Sequence, residues 1–91
     1  MLLLTKSEKL LQRFLRRPKD LTWEEYVKVF EMFGFELHKN TGSKRSFVNA
    51  NNDIFYIHEP HPKNVMKTYT IKQAIQWLTE KGHLSDHQGE S

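Results

Sequence analysis

Chemistry in this chain has few places to reside, and the first is Gly42-Ser43-Lys44-Arg45-Ser46-Phe47. A Gly-Ser turn here feeds a strand that opens with two cations. That arrangement sets backbone N–H groups, a hydroxyl and two positive charges at one sheet edge, which suits a phosphate. Around it gather Lys39, Lys44, Arg45, Lys63, Lys67 and Lys72, near the turn, the following loop and the start of the last helix. A sheet edge beside a helix N-terminus binds phosphates, so RNA contact is one reading. The plainer reading is that these lysines keep a small domain soluble.

Histidine is the second resource. His58-Glu59-Pro60-His61 sets two imidazoles around a strand end, and histidine is the usual general acid or base near neutral pH. An ordinary strand residue hydrogen-bonded to a neighbour is the simpler role for His58. His83 and His87 fall in the polar segment His83 to Ser91, which is read as frayed, and are assigned no role. There is no His-Glu-x-x-His helix, and a chain without cysteine offers no Cys/His spacing, so no metal site is expected. Ser43 lacks a Gly-x-Ser-x-Gly elbow and is read as a turn former rather than a nucleophile. Trp23 and Trp77 recur with apolar residues at helical spacing and are assigned to the core. Tyr56 alternates with Phe55 and Ile57, and either register is open: outward, where it stacks a base, or inward.

The elements that position these residues show a repeated start signal, Thr-x-x-Glu or Thr-x-x-Gln, in which a Thr hydroxyl and an N3 carboxylate or amide cap each other's backbone. Thr5…Glu8 opens a helix to about Arg17, with Leu10, Leu11, Phe14 and Leu15 as its apolar stripe and Pro18 as its stop. Arg13, Arg16 and Arg17 suit the negative end of its dipole. Thr22…Glu25 opens the clearest helix, with Trp23, Tyr26, Val27, Phe30 and Phe33 on one side and Gly34 as its left-handed end. Thr70…Gln73 opens the last, which ends at Gly82. Between them lie three strand-like runs, Phe35 to Asn40, Lys44 to Ala50 and Ile54 to His58, separated by Thr41-Gly42 and Asn51-Asn52-Asp53. Pro60 and Pro62 cannot donate to a ladder, so the sheet ends before them.

These elements predict an α+β fold: a three-stranded antiparallel sheet with helices on one face and the other face wet. At 91 residues the chain is read as one domain over 1–84, with a disordered tail at 85–91. It can bury one modest core, without a second lobe for a cofactor, and no cofactor is expected. No apolar run approaches the ~20 residues of a membrane span, and Lys6, Glu8 and Lys9 follow Met1-Leu2-Leu3-Leu4 too closely for a signal peptide. The net charge of +3 admits nucleic acid or an acidic protein as partner without choosing.

Order and spacing together resemble the HicA family of toxins from type II toxin–antitoxin systems. The resemblance covers about Leu21 to Leu84. It rests on Thr22-Trp23-Glu24-Glu25, Phe33-Gly34-Phe35, Gly42-Ser43-Lys44-Arg45 with Phe47, Ile57-His58-Glu59-Pro60-His61-Pro62, and the Tyr69-to-Gly82 helix with Lys72-Gln73. It implies a fold similar to double-stranded-RNA-binding domains, with the helix at about 5–17 as an addition before a family core at about 21–84. It also implies a cytoplasmic, ribosome-independent mRNA interferase. HicB-type antitoxin would neutralise it, and DNA would be met only through the toxin–antitoxin complex that represses its own operon.

In that family the Gly-Ser turn is typically followed by a histidine that carries RNA cleavage, and here Lys44 stands there. A lysine in water has a pKa of ~10.4 and is a poor base at pH 7, but its cation can hold a phosphate or stabilise a phosphorane. The resemblance therefore makes Lys44, His58 and His61 the catalytic set, with His58 or His61 as base. Gly42, Ser43, Arg45, Lys39, Lys63, Lys67 and Lys72 become the RNA-binding set. Three states fit: an active RNase with Lys44 as its electrostatic element, a toxin silenced by replacement at that position, and a relative that binds RNA or an antitoxin without cleaving. A protein-interaction module without an RNA role is the alternative of a different class.

Overall fold

The computed structural model describes residues 4–85; the expected tail beyond Ser85, His87 included, lies outside the described residues. The element order is α1 (Lys6–Leu15), α2 (Trp23–Met32), β1 (Glu36–Lys39), β2 (Lys44–Val48), β3 (Ile54–His58) and α3 (Thr68–Glu80). It is the α+β arrangement expected, with one antiparallel sheet in the order β1-β2-β3.

Two of the three predicted capping boxes form. The Glu8 amide donates to Thr5 Oγ1 at 3.1 Å and the Thr5 amide to Glu8 Oε1 at 2.9 Å. Glu25 and Thr22 repeat the exchange at 3.2 and 2.9 Å. Helix α1 ends at Leu15, the last residue of its apolar stripe and short of the expected end at about Arg17: Arg17, the residue before Pro18, takes φ 54, and its amide closes the last turn on Phe14 O. Gly34 takes φ 87, and the Gly34 and Phe35 amides donate to Glu31 O and Phe30 O. This is the left-handed end that folds the chain back into β1.

The third start signal does not form. Lys67 is the N-cap of α3 and makes no side-chain cap, while Thr70 already lies in the first turn and its hydroxyl donates back to Lys67 O at 2.6 Å. The reason is tertiary. The preceding loop is tied to the start of α2 by Met66 N to Leu21 O at 2.7 Å, Trp23 N to Asn64 O at 3.2 Å, the Asn64–Glu24 side-chain bond and a Thr22–Val65 bridge. The chain therefore enters the helix before Thr70, whose carbonyl accepts from the buried Tyr26 hydroxyl at 2.9 Å.

The helix-facing row of the sheet is Leu37, Phe47 and Phe55, paired in register across the strands. Phe30 on α2 stacks on Phe47 at 4.2 Å and 6°, and on Phe55 at 5.2 Å. Trp23 is buried, and Trp77 packs against Phe35 and Phe55, so both tryptophans belong to the core. With Phe55 committed inward, the period-two alternation sends Tyr56 to the open face, where it is 68% exposed.

Arg13 lies in the last turn of α1, as its dipole role requires, and it also bridges to Asp20 at 3.0 Å and Glu25 at 3.3 Å. With Phe14 fully buried against Tyr26, this seats α1 on α2. The segment after Gly82 is not frayed where it begins. Leu84 joins the core, and the His83 ring packs on Phe35 at 5.1 Å beside Asn49 and Asp53. An apolar residue two positions past the glycine stop is enough to hold the chain down.

Candidate functional site

Strand register decides which side chains meet. Lys44 is the direct cross-strand partner of His58, and Ser46 of Tyr56. Directly opposed residues in an antiparallel pair hold their Cβ atoms about 4.5–5.5 Å apart. Lys44 and His58 are both exposed, and among the described residues neither side chain has a salt bridge or hydrogen bond. Two residues fourteen apart in sequence thus become neighbours with their polar groups free.

The pair opens onto a groove of ≈ 530 Å³ lined by Asn40, Arg45, Tyr56 and, across from the strands, Tyr69 and Gln73 of α3. A second groove of ≈ 770 Å³ adjoins it, sharing His58, Tyr69 and Thr70, and runs past His61, Lys63 and Lys67 to Lys19. Both volumes fall in the range of ligand sites, about 300–1,000 Å³. The first turn of α3 borders both grooves and carries no acidic residue and no side-chain cap, so the positive end of its dipole is not offset there by a carboxylate of its own. Burial pushes the Tyr26 phenol up, so it remains a donor to Thr70 O and anchors this helix end.

Arg45 has a different part. Its Nε donates to Glu59 Oε1 at 2.9 Å, and one terminal nitrogen donates to Gly42 O at 2.9 Å and Lys44 O at 2.8 Å. The Glu59 amide in turn donates to Ser43 O at 2.9 Å. The guanidinium therefore holds the turn that presents Lys44 and neutralises the carboxylate of Glu59, the residue after His58. Other cations of the grooves have no such partner: Lys19, Lys44, Lys63 and Lys67 form no salt bridge among the described residues.

The structure thus gathers Lys44, Arg45 and His58 in one groove, and His58, His61, Lys63 and Lys67 in the next. Gly42 and Ser43 are exposed in the adjoining turn. Lys39, on the edge strand, and Lys72, on α3, are exposed and border neither groove. Sequence reasoning passed over Asn40, Lys19, Tyr69 and Gln73. Tyr69 was masked by the helix start expected at Thr70, and Lys19 is brought in only by the fold of the α1–α2 connection. The described residues contain no cluster of His, Asp or Glu able to hold a metal ion.

A three-stranded antiparallel sheet backed by helices, with a cationic groove at one strand end, defines the class: an α+β fold of the double-stranded-RNA-binding-domain type. The chain belongs to the HicA family: the family model described as "HicA toxin of bacterial toxin-antitoxin" matches residues 23–78, more than half of the chain. Comparison with curated proteins and with solved structures found no match. Membership makes the chain the toxin side of a toxin–antitoxin pair, with an antitoxin as partner. The match begins at the first residue of α2, so α1 lies before it. No helix among the described residues is long and apolar enough to cross a membrane.

Proposed function

We propose that this toxin is an endoribonuclease that cleaves mRNA without the ribosome, works in the cytoplasm where its substrate is, and is neutralised by a HicB-type antitoxin. The observation that carries the reading is the exposed Lys44–His58 cross-strand pair at the mouth of a cationic groove. His58 takes the proton of a ribose 2′-hydroxyl as general base. The 2′-oxygen attacks phosphorus, the P–O5′ bond breaks, and the leaving 5′-oxygen takes up a proton. Products are a 2′,3′-cyclic phosphate and a 5′-hydroxyl. The Lys44 ammonium stabilises the negative charge that gathers on the phosphorane oxygens.

Register favours His58 over His61 as base, because His61 lies past Pro60 and lines only the second groove. Ser43, Gly42 and the α3 amides supply neutral donors for the phosphate. Lys63 and Lys67 extend the backbone track, and Lys39 and Lys72 add a more distant attraction. The second reading, a relative that binds RNA or antitoxin without cleaving, has the free cation Lys44 at the position of the family's usual histidine in its favour.

RNA cleavage by the purified chain, in EDTA, beside Lys44→Ala, Lys44→His and His58→Ala tests the proposal. Cleavage is expected from the chain itself, lower by about 10²–10⁴-fold in His58→Ala and about 10²–10³-fold in Lys44→Ala. A silent parent with an active Lys44→His identifies a toxin scaffold disabled at one position. Silence of every variant overturns the nuclease reading.

A further inference from the structure

The aromatic residues of this chain divide into two populations. Every ring except those of Tyr56 and Tyr69 packs against another aromatic ring or, for Phe33, against His83. Tyr56 and Tyr69 take no part in that network and are 68% and 58% exposed. Among the described residues neither hydroxyl has a hydrogen-bond partner, whereas that of Tyr26 is engaged with Thr70 O. Neither side chain belongs to the core or to the hydrophobics packed against it, and a large exposed ring leaves apolar surface in water.

Their placement is not scattered. Tyr56 stands on the open face of β3 and Tyr69 in the first turn of α3, yet both line the groove that holds Lys44 and His58. Across the two joined grooves the cations are Lys19, Lys44, Arg45, Lys63 and Lys67, against the single carboxylate of Glu59, which Arg45 already neutralises. Exposed aromatic faces along a cationic track are what an unpaired polynucleotide needs: each base stacks on a ring while the phosphates follow the charge. A duplex cannot use such rings, because its base faces are already covered by their neighbours.

We infer that Tyr56 and Tyr69 are the base-stacking residues of this site and that they select unpaired RNA at the Lys44–His58 groove. The inference rests on the proposed nuclease reading and adds to it the residues that grip the bases. Stacking is tolerant of base identity, because every base has a π-face. Gln73 on α3 also lines this groove, and its amide can read a base edge by paired donor and acceptor.

The test is binding of a fluorescent single-stranded 2′-O-methyl oligoribonucleotide, whose blocked 2′-oxygen separates affinity from cleavage. It is compared with the same oligomer carrying abasic positions and with its duplex. The proteins are the parent chain, Tyr56→Ala, Tyr56→Phe, Tyr69→Ala, Tyr69→Phe and Lys44→Ala, each checked for folding by circular dichroism. Each Ala variant is expected to weaken single-strand binding by roughly 5- to 150-fold, while the Phe variants keep most of it. The abasic oligomer should bind the parent and the Ala variants alike, and the duplex should bind the parent more weakly than the single strand. Ala variants that bind like the parent, while Lys44→Ala weakens binding, overturn the stacking assignment and leave the nuclease reading intact. Ala variants that keep RNA affinity but lose the antitoxin also overturn it, and make the rings a protein contact. No binding by the parent overturns this inference, while cleavage of unmodified RNA judges the nuclease reading separately.

Discussion

Helix α1 lies before the family match, yet Phe14 on it is fully buried, edge-on to Tyr26 with ring centroids 6.1 Å apart at 66°. Replacing Phe14 with Ala tests whether α1 and the family core form one cooperative domain, as we propose for residues up to 84. The lost transfer energy is about 2–3 kcal/mol for a fully buried side chain of this size. Loss of the aromatic pair adds about 0.5–1.5 kcal/mol. The sum, about 2.5–4.5 kcal/mol, overlaps the ~3–5 kcal/mol usual for truncating a buried Phe. Small domains are stable by about 5–15 kcal/mol, so this is a large share. Urea denaturation followed by circular dichroism should show one transition with a midpoint lowered accordingly, and a melting temperature lower by more than ~10 °C. Gln12→Ala, on the exposed side of the same helix, should stay within about 0.5 kcal/mol of the parent. A Phe14→Ala loss below about 1 kcal/mol, or two separate transitions in the parent, would refute the single-unit argument and make α1 an appendage.

Arg45→Lys should cost about 1–3 kcal/mol, because an ammonium cannot span Glu59 Oε1 and the Gly42 and Lys44 carbonyls as the planar fork does. Thermal melts measure that loss, and cleavage should fall with it, as the turn presenting Lys44 loosens. Glu25 has its carboxyl held below the usual glutamate range: burial works to raise it, but the Thr22 amide and the Arg13 guanidinium outweigh burial. The folded state therefore binds fewer protons than the unfolded one, so its stabilisation is present above the ordinary glutamate range and is lost as pH falls through the lower folded value. Glu25→Gln should flatten the acid limb of a stability-versus-pH curve measured by urea titration. Tyr26 runs the other way, its phenol raised by burial. Its contribution is complete below the ordinary phenol value of about 10 and declines above it. Tyr26→Phe should flatten that alkaline limb while costing about 1–3 kcal/mol at neutral pH, because Thr70 O loses its donor.

Much of the fold was legible in residue types and spacing because its signals are local. A Thr hydroxyl and a Glu three residues on close a capping box through backbone atoms they can reach by themselves, and Gly34 can take a left-handed turn that other residues resist. Apolar periodicity placed both tryptophans in the core for the same reason. The motifs also sufficed for the family, which the match to residues 23–78 bears out, and they marked Lys44 and the His58–His61 segment as the places to look. What local signals could not express was decided by packing. Thr70 looked like a cap, but the loop tied to Leu21 and Trp23 starts α3 earlier and turns its hydroxyl inward. The direction of Tyr56 hung on a two-fold choice, which Phe55 resolved by stacking on Phe30. Arg45 and Lys44 are adjacent cations of similar promise in the sequence, yet side chains alternate along a strand, so one braces a turn against Glu59 while the other meets His58. The sequence by itself determined the elements, the family and the residues with chemical capacity, because those depend on contacts a few residues apart. Only the tertiary structure decided which of them share a groove, because strand register and the docking of α3 join residues that are distant along the chain.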